Sequence, residues 1–163
     1  MKKILSLFII LILVSCSKSL EGDFNNAVKL LKENKIEEAV SEFEKIAQSN
    51  DEKYSPEALA QLAAIYQGKL DKKLSAEESA KKSQFYFRTL YDKYPKNPLA
   101  PKALFMSAFI LANELNKYDD ATKEYNLFLE KFPNHELATS AKQELEYIGL
   151  SPEEILKKKM AKQ

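Results

Sequence analysis

Ile36-Glu37-Glu38-Ala39-Val40-Ser41-Glu42-Phe43 and Tyr118-Asp119-Asp120-Ala121-Thr122-Lys123-Glu124-Tyr125 are one pattern written twice. Both run apolar, acid, acid, Ala, β-branched, any residue, Glu, aromatic. A weaker third copy follows from a second similarity, Tyr91-Asp92-Lys93-Tyr94-Pro95-Lys96-Asn97 against Leu129-Glu130-Lys131-Phe132-Pro133-Asn134-His135. That alignment sets Ser83 opposite Ala121 and Phe87 opposite Tyr125. Self-similarity of this kind points to a stack of equal structural units, each unable to bury its apolar face alone.

The units are helical. Ala39, Phe43, Ile46 and Ala47 recur at i, i+4, i+7 and i+8, which places them on one helix face. Ala121, Tyr125, Phe128, Leu129 and Phe132 repeat the arrangement. Ser55-Pro56-Glu57 and Asn97-Pro98 read as a capping side chain ahead of a first-turn proline. Ser75-Ala76-Glu77-Glu78 and Ser151-Pro152-Glu153-Glu154 read as capping boxes. Pro95 and Pro133 end the helices before them. No run alternates as a strand does. The expectation is an all-α chain of eight helices, over residues 22–33, 36–48, 56–68, 75–93, 98–116, 118–132, 136–148 and 152–161, with short links that make neighbours antiparallel.

These residues resemble the tetratricopeptide repeat, a helix hairpin of about 34 residues that stacks into a superhelix. The second helix of that unit carries aromatic-acid-acid-Ala, an aromatic one turn later, and a closing Pro. Tyr118, Ala121, Tyr125 and Pro133 fit all four places; Ile36, Ala39 and Phe43 fit three, with Asp51 where the Pro would stand. Ala58 to Tyr66 resembles the first helix of the unit, with small Ala63 at the close helix approach. Phe109 and Phe128 replace small residues of the pattern, and extra residues around Lys69 to Lys82 lengthen the second unit. With the Tyr-Pro and Phe-Pro helix ends, these departures resemble the repeats of BamD-like outer-membrane lipoproteins and CpoB-like periplasmic proteins. The resemblance implies a superhelix of about three hairpins plus a terminal helix pair, with the tetratricopeptide-repeat domain over residues 22–149 and the last helix and a basic tail at 150–163. It also implies a concave groove lined by the first helix of each hairpin, which binds extended or helical segments of partners. Mapped onto this chain, the groove residues are Phe24, Val28 and Leu31, then Ala60, Ala64 and Gln67, then Met106, Ile110 and Asn113. Ordinary core packing is the competing reading for each of them.

The N-terminus carries a different signal. Lys2 and Lys3 precede an apolar stretch from Ile4 to Val14, and Leu13-Val14-Ser15-Cys16 follows the lipobox pattern of bacterial lipoproteins. The stretch is about half the ~20 residues that span a bilayer, so it reads as a targeting segment. A short uncleaved anchor is the alternative. The pattern implies cleavage after residue 15, a thioether to diacylglycerol on Cys16 and a lipidated linker over residues 16–21. Ser17, not Asp, after the cysteine points to an outer membrane under the sorting rule of enteric bacteria.

Removing residues 1–15 from 163 leaves 148, enough for one domain with a real core. Cys16 is the only cysteine, so no intrachain disulfide can form. Without Lys2 and Lys3 the balance is 23 basic against 24 acidic side chains, which gives no electrostatic case for nucleic acid. Arg88 is the only arginine. His135 is the only histidine, so a His-rich metal site or a His-dependent triad has no members; it reads as an exposed turn residue. The aromatics Phe85, Phe87, Tyr91, Tyr94, Phe105, Phe109, Tyr125, Phe128 and Phe132 recur at helical spacing and read as packing knobs rather than a ligand box. The carboxylates sit in Glu/Lys mixtures typical of solvated faces, and the Lys157-Lys158-Lys159 run with Lys162 reads as a soluble tail. No P-loop, GxGxxG or HExxH motif occurs. The sequence therefore leads to a non-enzymatic, lipid-anchored scaffold of the cell envelope, facing the periplasm, without cofactor or metal. Its partners are other envelope proteins, in outer-membrane protein assembly if BamD-like, or in cell-wall synthesis and division if CpoB-like. A substrate-binding accessory lipoprotein is the rival from another class. A deep pocket with clustered polar groups would favour that rival, and a shallow open groove the scaffold.

Overall fold

The computed structural model describes residues 19–161. The expected signal segment, Cys16 and Lys162 lie outside them. Within them the chain is all-α, with eight helices: α1 (Leu20–Lys32), α2 (Ile36–Gln48), α3 (Tyr54–Gln67), α4 (Ala76–Lys93), α5 (Ala100–Asn113), α6 (Tyr118–Lys131), α7 (Ala138–Tyr147) and α8 (Pro152–Met160). Each helix from α1 to α6 packs on the next one along the chain, and α1 also touches α3. Nearest-neighbour packing of this kind is the signature of a repeat stack.

The aligned residues coincide in their surroundings. Ala39 with Phe43, Ser83 with Phe87, and Ala121 with Tyr125 are all buried. Each pair places a small residue at a close helix contact and an aromatic one turn later in the space beside it. At the second copy the Ser83 hydroxyl donates to the Ala63 carbonyl of α3 at 2.9 Å, a direct record of that close approach.

The turns repeat as well. Asn34, Lys69 and Asn116 take φ of 60°, 51° and 53°, and Gly149 takes 74°. One such residue sits between the helices of each hairpin. After α1 and α3 the wrap is a Schellman motif: the Lys35 and Leu70 N–H groups donate to Leu30 and Ile65, while Asn34 and Lys69 donate to Leu31 and Tyr66. The links Tyr94–Leu99 and Phe132–Leu137 also match. Asn97 Oδ1 accepts from the Leu99 N–H at 2.9 Å, and His135 Nδ1 accepts from the Leu137 N–H at 3.1 Å. His135 is therefore not a bare exposed turn residue. It closes the same two-residue turn as Asn97, and its ring meets Phe128 edge-on at 5.7 Å.

Both capping boxes form, at Ser75/Glu78 and Ser151/Glu154. Four helix starts differ from expectation by two residues; one is α7, which starts at Ala138 rather than 136 because the His135 turn holds Glu136 and Leu137 outside it. Ser19 caps α1 by accepting from the Gly22 N–H at 3.2 Å, so the helix takes in Leu20 and Glu21. α3 starts at Tyr54 because Asp51 does the capping, accepting from the Lys53 and Tyr54 N–H groups at 2.9 and 2.7 Å. Those two donors hold the Asp51 carboxyl below the usual carboxylate range. Ser55 is instead buried and donates to the Ile46 carbonyl at 2.8 Å, stitching α3 to the end of α2. α5 starts at Ala100 rather than 98, because the Asn97 turn holds Pro98 and Leu99 outside the helix.

Candidate functional site: an apolar groove and a polar cleft

α1 rests directly on α3. Phe24 stands edge-on to Phe43 at 5.6 Å and tilts against Tyr54 of α3 at 5.8 Å. Phe24, Val28 and Leu31 are half-buried against the core and are not among the residues that line the groove between α3 and α5. For Phe24 the physical reason is its contact with Tyr54 of α3.

No comparable packing joins α3 to α5 among the described residues. α4 lies between them, and the gap above it is a groove of about 370 Å³. Ala60, Ala64 and Gln67 recur at i, i+4 and i+7 along the α3 wall. Phe87 and Leu90 of α4 contribute from behind. Leu99, Lys102, Ala103 and Met106 form the α5 side. Four of the nine expected residues thus meet in one place: Ala60, Ala64, Gln67 and Met106. Ile110 does not join them. It is wholly buried, and α5 turns about 40° between positions four apart, enough to carry Ile110 from the groove wall into the core. Met106 stays half-buried at the edge. Lys102, one turn before Met106, escaped the sequence reading, although that spacing was the signal that could have found it. It is exposed and has no ion-pair partner among the described residues.

Asn113 lies elsewhere, in a cleft of about 540 Å³ between the ends of α5 and α7 and the flank of α8. Asn116, Gln143, Glu144 and Lys159 share that cleft, and Tyr118, Tyr147, Ile148 and Ile155 add apolar surface. Neither this arrangement nor its polarity was foreseen, because it depends on how α8 folds back.

A third polar group is interior. Glu124 is 8% exposed, an exception to the solvated carboxylates expected from composition. Arg88 donates to Glu124 Oε1 at 3.1 Å and to both oxygens of Asp92 at 2.9 and 3.0 Å. Gln84 donates to the buried Ser107 hydroxyl at 3.0 Å. Burial pushes the Glu124 carboxyl above its ordinary range, opposed by Ser107 and Arg88, and its Oε2 lacks a well-formed hydrogen bond. The network joins α4, α5 and α6 away from either cavity's lining.

No family model and no curated protein matches the chain. The groove and cleft therefore stand on their own geometry. Of the aromatics read as packing knobs, Phe85 is the exception at 59% exposure, while Tyr125 and Phe128 are wholly buried. Among the described residues no group of three or more His, Cys, Asp or Glu side chains converges as a metal site, and no helix is long and apolar enough to cross a membrane.

Proposed function

We propose that this chain is a lipid-anchored scaffold of the bacterial envelope, built from tetratricopeptide-type hairpins, that holds partner proteins in the groove between α3 and α5. The observation that carries the reading is the groove itself. Ala60, Ala64 and Met106, singled out by repeat position, meet there across an open apolar gap. Small walls admit a partner's backbone, and methionine repacks cheaply around different apolar anchors. An extended or helical segment inserting one apolar side chain suits such a surface. The repeated αL turns and small/aromatic pairs support the hairpin family. The lipobox at Leu13 to Cys16 supports the anchor and Ser17 the outer membrane, with β-barrel assembly as the favoured process.

A photoreactive amino acid at position 64 tests the groove in cells. A discrete crosslinked envelope protein is expected, lost in a Met106→Lys background whose circular dichroism and melting stay near wild type. A groove anchor carries ~2 kcal/mol or more, roughly thirtyfold in affinity. Crosslinking that is absent, or indifferent to Met106→Lys, overturns the groove reading. For the anchor, intact mass of membrane-extracted protein should begin at a lipidated Cys16, and Cys16→Ser should leave an unlipidated precursor; a mass retaining residues 1–15 contradicts it.

A further inference from the structure

The charges at the α7–α8 junction are unevenly satisfied. α7 offers Glu144 and Glu146, and α8 offers Lys158 and Lys159. One pair closes: Lys158 Nζ lies 3.9 Å from Glu146 Oε1 and donates to the Glu146 carbonyl at 2.7 Å. Glu144 and Lys159 both line the 540 Å³ cleft, yet they pair neither with each other nor with another charged group among the described residues. Glu144 receives only a long 3.4 Å contact from the Asn113 amide. Lys159 sits 5.3 Å from the Tyr147 ring centre.

We infer that this cleft binds a zwitterionic amino compound, a free amino acid or a short peptide. The ligand ammonium meets Glu144, its carboxylate meets Lys159, and an apolar side chain lies against Ile148 and Ile155. A molecule carrying both charges satisfies both groups at once. A purely anionic ligand meets Glu144 with like charge, and a neutral one gives neither group an ionic partner. Hydrogen bonds to ionised groups are about twice as strong as neutral ones, so recognition concentrates at the two ends of the ligand. Asn116 and Gln143 supply amides beside them, and the cavity falls within the range of small-molecule sites, roughly 300–1,000 Å³. α8 buries no residue, so a ligand bridging Glu144 to Lys159 also fastens α8 to α7. The inference is independent of the α3–α5 groove.

Titration of the full, isotope-labelled chain with leucyl-leucine tests it, beside free leucine and the N-acetylated and C-amidated dipeptides. Saturable amide shifts are expected at Asn116, Gly149 and Leu150, with slower hydrogen exchange in α8. Blocking either end of the dipeptide should weaken binding about tenfold, as should Glu144→Gln or Lys159→Met, with each variant losing discrimination at its own end of the ligand. The blocked dipeptides on the unaltered chain decide the matter even if a variant folds poorly. No saturable binding, equal binding of blocked and free dipeptide, or shifts confined to Ala60, Ala64 and Met106 overturns the assignment.

Discussion

Ala121 and Lys123 sit two residues apart and live under different rules. Ala121 is wholly buried at the approach of α6 to its neighbours, so Ala121→Leu forces about three extra carbons into a filled contact and is expected to cost ~1–3 kcal/mol. The Lys123 side chain is 75% exposed, with a surface pair to Asp120, and Lys123→Ala should stay within ~0.5 kcal/mol. Equal melting shifts for the two would refute the repeat alignment. Glu124, the next residue, gives a sharper contrast. Its carboxyl is held above its ordinary range, so over the window between the unfolded and folded values the native chain binds more protons. Native stability therefore falls as pH rises through that window. Glu124→Gln removes this loss and leaves Arg88 with Asp92; it should lie within ~1 kcal/mol of wild type at neutral pH, with its relative standing worsening on acidification. Arg88→Met strands a buried carboxylate instead and should cost ~2–3 kcal/mol at neutral pH. Thermal melts of both variants across the carboxylate range would show whether Glu124 titrates as its burial requires.

At the scale of the element, the backbone turns hold the least favourable local choice. Lys69 takes φ of 51°, a conformation that costs an L-residue with a Cβ roughly 1–2 kcal/mol, where the matching positions hold two Asn and a Gly. Lys69→Gly should raise stability by ~0.5–1 kcal/mol after the entropy of a freer unfolded chain, losing only the long 3.8 Å surface contact to Glu114. A lower denaturation midpoint would place the strain elsewhere. His135→Asn should fold like wild type, since Asn97 closes the same turn, whereas His135→Ala should lose ~0.5–1 kcal/mol. Helix identity was legible because Ala39/Phe43 and Ala121/Tyr125 carry both periodicity and repeat register. Helix starts were less so: Ser55 looked like a cap, but a serine's hydroxyl serves a neighbouring helix as readily as its own, and only packing chooses. The groove was partly legible for the same reason. Repeat position put Ala60, Ala64, Gln67 and Met106 on one side, but a 40° turn of α5 hid Ile110, and the seating of α1 on α3 consumed Phe24. The polar cleft had no local signature, since its charges come from helices joined by a turn whose geometry Gly149 sets.

For the whole molecule, burial is concentrated at the middle of the stack. α3 and α5 contribute eight and nine buried residues, α7 contributes two, and α8 contributes none. In a stack where each helix leans mainly on its neighbours, a helix opens with the free energy of the contacts it alone must break. Opening is therefore expected to begin at the C-terminal end. In native-state hydrogen exchange, α8 amides should exchange at nearly unfolded rates, α7 amides should follow, and those of α3, α4 and α5 should wait for global unfolding. Ending the chain after Leu150 should change stability by no more than ~0.5 kcal/mol, because α8 itself contributes no buried side chain. Cutting before α6 is different. It removes Tyr125 and Phe128 from beside Phe105, whose ring stands edge-on to both at 5.6 and 5.8 Å, and it leaves an apolar face of α5 open to water. That variant should aggregate or melt far earlier. Uniform exchange across all eight helices, or a large loss on removing α8 alone, would mean that the ends are coupled to the middle by more than neighbour packing.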